Sequence, residues 1–156
     1  MADYLRAASG VEEDRWRVPV QPGKWTPAQI TEHLLRTYRT VLDQARGGPG
    51  IRTRVGPVLR LILRVVLLPW IFRTRRLPAG AKAPSEIRPS DSDTAREDAL
   101  RQLQTLSDDF EAEILARRHE KDLRLTHHVF GAIEPLRGID FVAIHTEHHG
   151  RQLPRS

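Results

Sequence analysis

Apolar and small residues recur along this chain at helical rather than strand spacing. Ile30, Leu34, Thr37, Tyr38, Val41 and Leu42 fall three and four positions apart, one face of an α-helix. The start of that helix is written in Thr26-Pro27-Ala28-Gln29: a threonine N-cap, a proline where the backbone N–H is not needed, and a glutamine three residues on to close a capping box. Gly47-Gly48-Pro49-Gly50 ends it.

The same pattern predicts a second long helix, from Asp93 or Thr94 to about Arg118. Ala99, Leu103, Leu106, Phe110 and Ile114 form its core stripe, and Thr94 with Glu97 offers another capping box. A last helix is expected from about Ile139 to Gln152, stopped by Pro154. Asp3 to Trp16 reads as weakly helical, with Gly10 in its middle and Val18-Pro19-Val20-Gln21-Pro22-Gly23 breaking it. Val55 to Phe72 predicts a helix, or two pieces divided at Pro69; Arg73 to Ser90 reads as a long crossover and 119–135 as a loop. No convincing strand pattern competes with these helices, so no strand is expected. The expected fold is all-α, a single domain over residues 1–156 with its crossover between the second and third bundle helices.

Composition narrows the function classes. The chain of 156 residues has no cysteine, which excludes disulfides, a thiolate metal site and a cysteine nucleophile, and suits a reducing cytoplasm. The N-terminal residues lack the basic and apolar segments of a secretory signal. Val58 to Phe72 is too short and too charged for a membrane span, so a soluble cytoplasmic protein is expected. The overall charge is +5, but residues 51–88 hold nine basic residues against Glu86 alone, a local excess of eight that leaves −3 elsewhere. Few aromatics interleave with these arginines, so a nucleic-acid surface is not expected. The Val58 to Phe72 segment would suit an anionic membrane surface or a homodimer contact. The plainer reading makes it a cap on the bundle with solvated arginines, because Leu61, Ile62, Leu63, Val65 and Val66 leave no narrow apolar face.

Candidate chemistry lies in the histidines. His145 and His149 stand one helical turn apart and about 40° apart around the axis, flanked by Phe141 and Ile144, so both point toward the core. His33 lies on the apolar stripe of its helix between Ile30, Leu34 and Thr37. Three imidazoles from facing helices suit zinc or nickel and leave coordination positions open for substrate. Core histidines are also common as hydrogen-bonded packing residues, and spacing alone leaves both readings standing. His148 could be a ligand, a supporting donor or an edge residue; His119 looks like a polar helix end. His127 and His128 lie in a loop that could cover the site and supply a proton shuttle, and Gln152 could orient a ligand from behind.

Two segments together resemble a known family. Gly23-Lys24-Trp25-Thr26-Pro27-Ala28-Gln29-Ile30-Thr31-Glu32-His33-Leu34 resembles the tryptophan-to-histidine signature of the DinB/YfiT-like superfamily. Phe141 to Leu153, with His145, His149 and Gln152, resembles that family's closing helix. The resemblance implies a four-helix bundle with up-down-down-up connectivity and a metal held by His33, His145 and His149. Some relatives are thiol-dependent transferases and others maleylpyruvate isomerase-like, while many have no demonstrated activity. A cysteine-free member working on thiols needs an external low-molecular-weight thiol. The expectation is therefore a metal-dependent transferase or hydrolase of a small molecule. The alternative is a bundle that holds metal or ligand without turnover.

Overall fold

The computed structural model describes residues 1–78, 80, 83–90 and 94–154. Among them the helices are α1 (Ala2–Ser9), α2 (Glu13–Trp16), α3 (Pro27–Ala45), α4 (Pro57–Thr74), α5 (Arg96–Arg117) and α6 (Pro135–Gly150). A 3-10 turn at Ser85–Ile87 interrupts the connection to α5. The all-α expectation holds at the level of class.

The capping box of α3 forms as written: the Thr26 hydroxyl accepts from the Gln29 amide at 3.1 Å and the Gln29 side chain accepts from the Thr26 amide at 3.0 Å. The box foreseen for α5 does not form. Its N-cap is Ala95, with no side-chain cap, and the first turn relies on Glu97 and Asp98 to meet the helix dipole; Asp93 lies outside the described residues. α6 starts four residues before Ile139, because Glu134 caps the Leu136 and Arg137 amides while Pro135 takes the first helical position. Pro69 does not divide α4, which is one helix throughout.

The 119–135 loop contains a feature that the hydrophobic pattern does not register. β1 (Leu125–His127) and β2 (Gly131–Ile133) pair antiparallel, with Leu125 opposite Ile133 and His127 opposite Gly131. Three-residue strands are too short to show alternation. Their turn is held instead by the His127 ring, whose Nδ1 accepts from the Val129 and Phe130 amides at 3.2 and 3.4 Å. Gly131 sits at φ +69°, a conformation that L side chains rarely adopt.

α1, α3, α5 and α6 pack on one another, the α3–α5 contact being the most extensive. Trp16, Leu34, Tyr38, Leu103, Phe110 and Ile114 lie at the centre of that core. A second cluster joins α4, the hairpin and α6 through Leu68, Ile71, Phe130, Ile133, Phe141 and Ile144. α4 is not a cap on the bundle: only Leu68 and Ile71 are buried, and Val58, Leu59, Leu61, Ile62, Val65, Val66 and Trp70 face outward. Nor are its arginines simply solvated, since Arg64 donates to the Ala132 carbonyl at 2.6 Å. Arg75, at φ +51°, clasps Glu147 and Asp140 and fastens the end of α4 to α6. Among the described residues, no helix is long and apolar enough to cross a membrane.

Candidate metal centre

His33 projects from the second turn of α3 and is buried among the residues of its apolar stripe. His145 and His149 come from successive turns near the end of α6. Contact between these two helices brings the three rings to one point. His145 Nε2 lies 3.2 Å from His33 Nε2 and 3.2 Å from His149 Nε2, and the three ligand atoms all fall within 4.8 Å of one another. Nitrogens about 2.0–2.1 Å from a tetrahedral zinc stand roughly 3.3–3.4 Å apart, a spacing close to the two 3.2 Å approaches made by His145; the His33 and His149 nitrogens, within 4.8 Å of each other, complete the group.

Proton inventory strengthens the fit. His33 Nδ1 stands 2.6 Å from the carbonyl oxygen of Ile87, which can only accept, so that nitrogen carries the hydrogen. His149 Nδ1 stands 2.8 Å from Gln152 Oε1, an acceptor, so that nitrogen carries the hydrogen, while the Gln152 amide nitrogen donates to His148 Nε2 at 3.0 Å. In both neutral rings the Nε2 lone pair then points inward. His145 Nε2 sits between them and can donate one hydrogen to one of them. At least one buried lone pair is left without a donor, the situation a cation resolves. His145 Nδ1 itself is buried without a partner in the described structure.

Burial keeps the rings neutral. Desolvation lowers the His33 pKa, an effect partly offset by the Ile87 carbonyl and reinforced by His148. It brings His149 down to about 3, with His33 adding to the shift and Gln152 opposing it. His145 lies well below the ordinary value, first through burial and then through His149 and His33. At neutral pH, protons therefore do not compete with a metal for these nitrogens.

Trp25, just ahead of α3, walls the cluster: its ring lies 4.9 Å from that of His33 and stacks at 24° on His149, 6.2 Å away. Sequence reasoning used Trp25 only as part of a resemblance and did not assign it to the site. The Ile87 carbonyl was missed entirely, because any residue type can present a main-chain oxygen.

The two loop histidines are placed differently. His127 is half-buried in the hairpin, stacked on Phe130 at 4.9 Å and edge-on to Phe141 at 5.0 Å. His128 lies 4.3 Å from the His127 ring, half-buried beside Arg54 and Glu86, with its Nδ1 unpartnered. His148 does not converge with the other three; it bonds Gln152 at the edge.

Three neutral imidazoles brought to one point by facing helices form a group that could hold a metal ion. The particular family follows from comparison: the DinB superfamily model matches residues 1–153, and the chain belongs to that superfamily. No curated protein and no solved structure matches it.

Proposed function

We propose that this protein is a metal-dependent enzyme acting on a small molecule, of the thiol-dependent transferase type. The observation that carries the reading is the convergence of the His33, His145 and His149 Nε2 atoms, with the outer nitrogens of His33 and His149 locked as donors. A divalent zinc or nickel ion held there supplies Lewis acidity, lowering the pKa of a bound water or thiol and polarising an electrophile. With no cysteine in the chain, the thiol comes as a low-molecular-weight cosubstrate.

The protein's own residues hold and shield the reacting groups. Ile87 and Gln152 fix the ring orientations, and Trp25 closes one flank against water. His127 spends Nδ1 on two amides, so it offers only an Nε2–H; His128, with a free Nδ1, is the better placed of the two to accept a proton. We read α1, α3, α5 and α6 as the up-down-down-up bundle of a single domain, a reading supported by their mutual packing and by the length of the family match, and the lack of cysteine suits a cytoplasmic setting.

Elemental analysis after incubation with zinc or nickel, followed by thiol-consumption assays with a panel of electrophiles, tests the proposal. The wild type should carry stoichiometric metal and consume thiol, and His149→Ala should lose both. Metal without turnover leaves a binding protein and overturns the enzyme; absence of metal overturns the site.

A further inference from the structure

The exposed side of α4 has the makings of an interface. Val58, Ile62, Val65 and Pro69 follow one another at steps of four, three and four, a straight seam along the outward side. Leu59, Val66 and Trp70 border it on one flank and Leu61 on the other. Exposure ranges from 73% at Val58 to 43% at Trp70, where a core helix would bury such residues. No acidic residue occurs in α4, and the only cation that α4 itself places on this side is Arg73 at its far end.

We propose that this seam is the contact between two copies of the chain, α4 of one packing against α4 of the other about a two-fold axis. Three observations select a second copy over other occupants. The first is area: side chains so exposed present on the order of 600–700 Å² of apolar surface, close to the roughly 800 Å² that each partner buries in a standard interface, and beyond the largest patch of an ordinary monomer. The second is shape. Val58, Ile62 and Val65 are β-branched and short, so two such seams can approach to the ~8–10 Å separation of packed helices.

The third is charge. A lipid surface would be favoured by cations rimming the apolar side, but of the arginines in α4 only Arg73, at the far end, lies on it. Arg60 reaches Thr53 at 3.3 Å and lies against Gly131, Arg64 bonds the hairpin, Arg54 pairs with Glu86, and Arg75 is held by Glu147 and Asp140. An uncharged seam meeting its own copy encounters no repulsion between its ends in an antiparallel arrangement. The seam is a different surface from the histidine cluster, and its assembly does not depend on metal.

Sedimentation or light scattering of the purified full chain tests this. At about 100 μM the wild type should run at twice the 17.8 kDa chain mass, and Val65→Glu at the single mass, with helix content and metal per chain unchanged. A second measurement does not rely on a charged variant. Ile62→Cys introduces the only thiol of the chain, and a short bismaleimide should convert it to a covalent dimer. A wild type at the single mass overturns the proposal, as does a dimer that survives Val65→Glu or a failure of the thiols to cross-link. Wild-type monomer that co-sediments with phosphatidylglycerol vesicles also overturns it, assigning the seam to a lipid surface.

Discussion

Gln152 offers the sharpest test of the metal centre, because it touches the site without being a ligand and stands where its loss should not disturb the fold. It lies just past the end of α6, exposed, with its carbonyl oxygen 2.8 Å from His149 Nδ1. Its role there is to make the tautomer with hydrogen on Nδ1 the stable one, leaving Nε2 free for an ion. In Gln152→Ala that hydrogen has no acceptor. His149 is only 6% exposed and is walled by Trp25, so water replaces the lost partner poorly. Presenting the ligand then leaves a buried N–H unpaired, at about 1–3 kcal/mol, which is roughly 5- to 150-fold in affinity. Losses of about 10- to 100-fold are usual when such supporting partners are removed. Zinc affinity, measured by competition with a chromophoric chelator at neutral pH, should weaken within that range. In Gln152→Glu the charged acceptor should tighten it. Wild-type affinity in Gln152→Ala, with stoichiometry intact, would refute the claim that this tautomer is held by the glutamine.

Two further outcomes concern stability. Thr26→Ala removes the acceptor for the Gln29 amide and should cost about 1 kcal/mol, lowering the Tm by roughly 2–4 °C; an unchanged calorimetric Tm would show that the box contributes nothing. His127, held at about 3 by burial, stays neutral in the folded chain while the unfolded chain protonates it near 6.5. Stability from this group is therefore full above pH ~6.5 and falls as pH drops toward 3, because the unfolded state binds the extra proton in that window. Urea midpoints should decline more gently with acidification in His127→Gln than in the wild type, and parallel slopes would remove His127 from that dependence.

Much of this protein is determined locally and is legible in its residues. Thr26, Pro27 and Gln29 are enough to start α3, since a cap is a contest among neighbouring amides; apolar steps of three and four are enough to choose helix and to say which side of α3 and α6 turns inward. That placed His33, His145 and His149 on inward faces, and i, i+4 geometry paired the latter two. The hairpin escaped because three-residue strands carry no period, and the start of α5 because the helix begins with acidic residues and not a side-chain cap. Meeting at a point is another matter. The 3.2 Å approach of His33 to His145 depends on how α3 lies against α6, a result of packing across more than a hundred residues. The Ile87 oxygen that orients His33 belongs to the main chain of a distant turn and leaves no trace in residue type. The outward seam of α4 is likewise a tertiary outcome. That helix is apolar nearly all round, so its own pattern cannot say which side the hairpin and α6 will cover; only the docking of Leu68 and Ile71 decides which residues are left facing water.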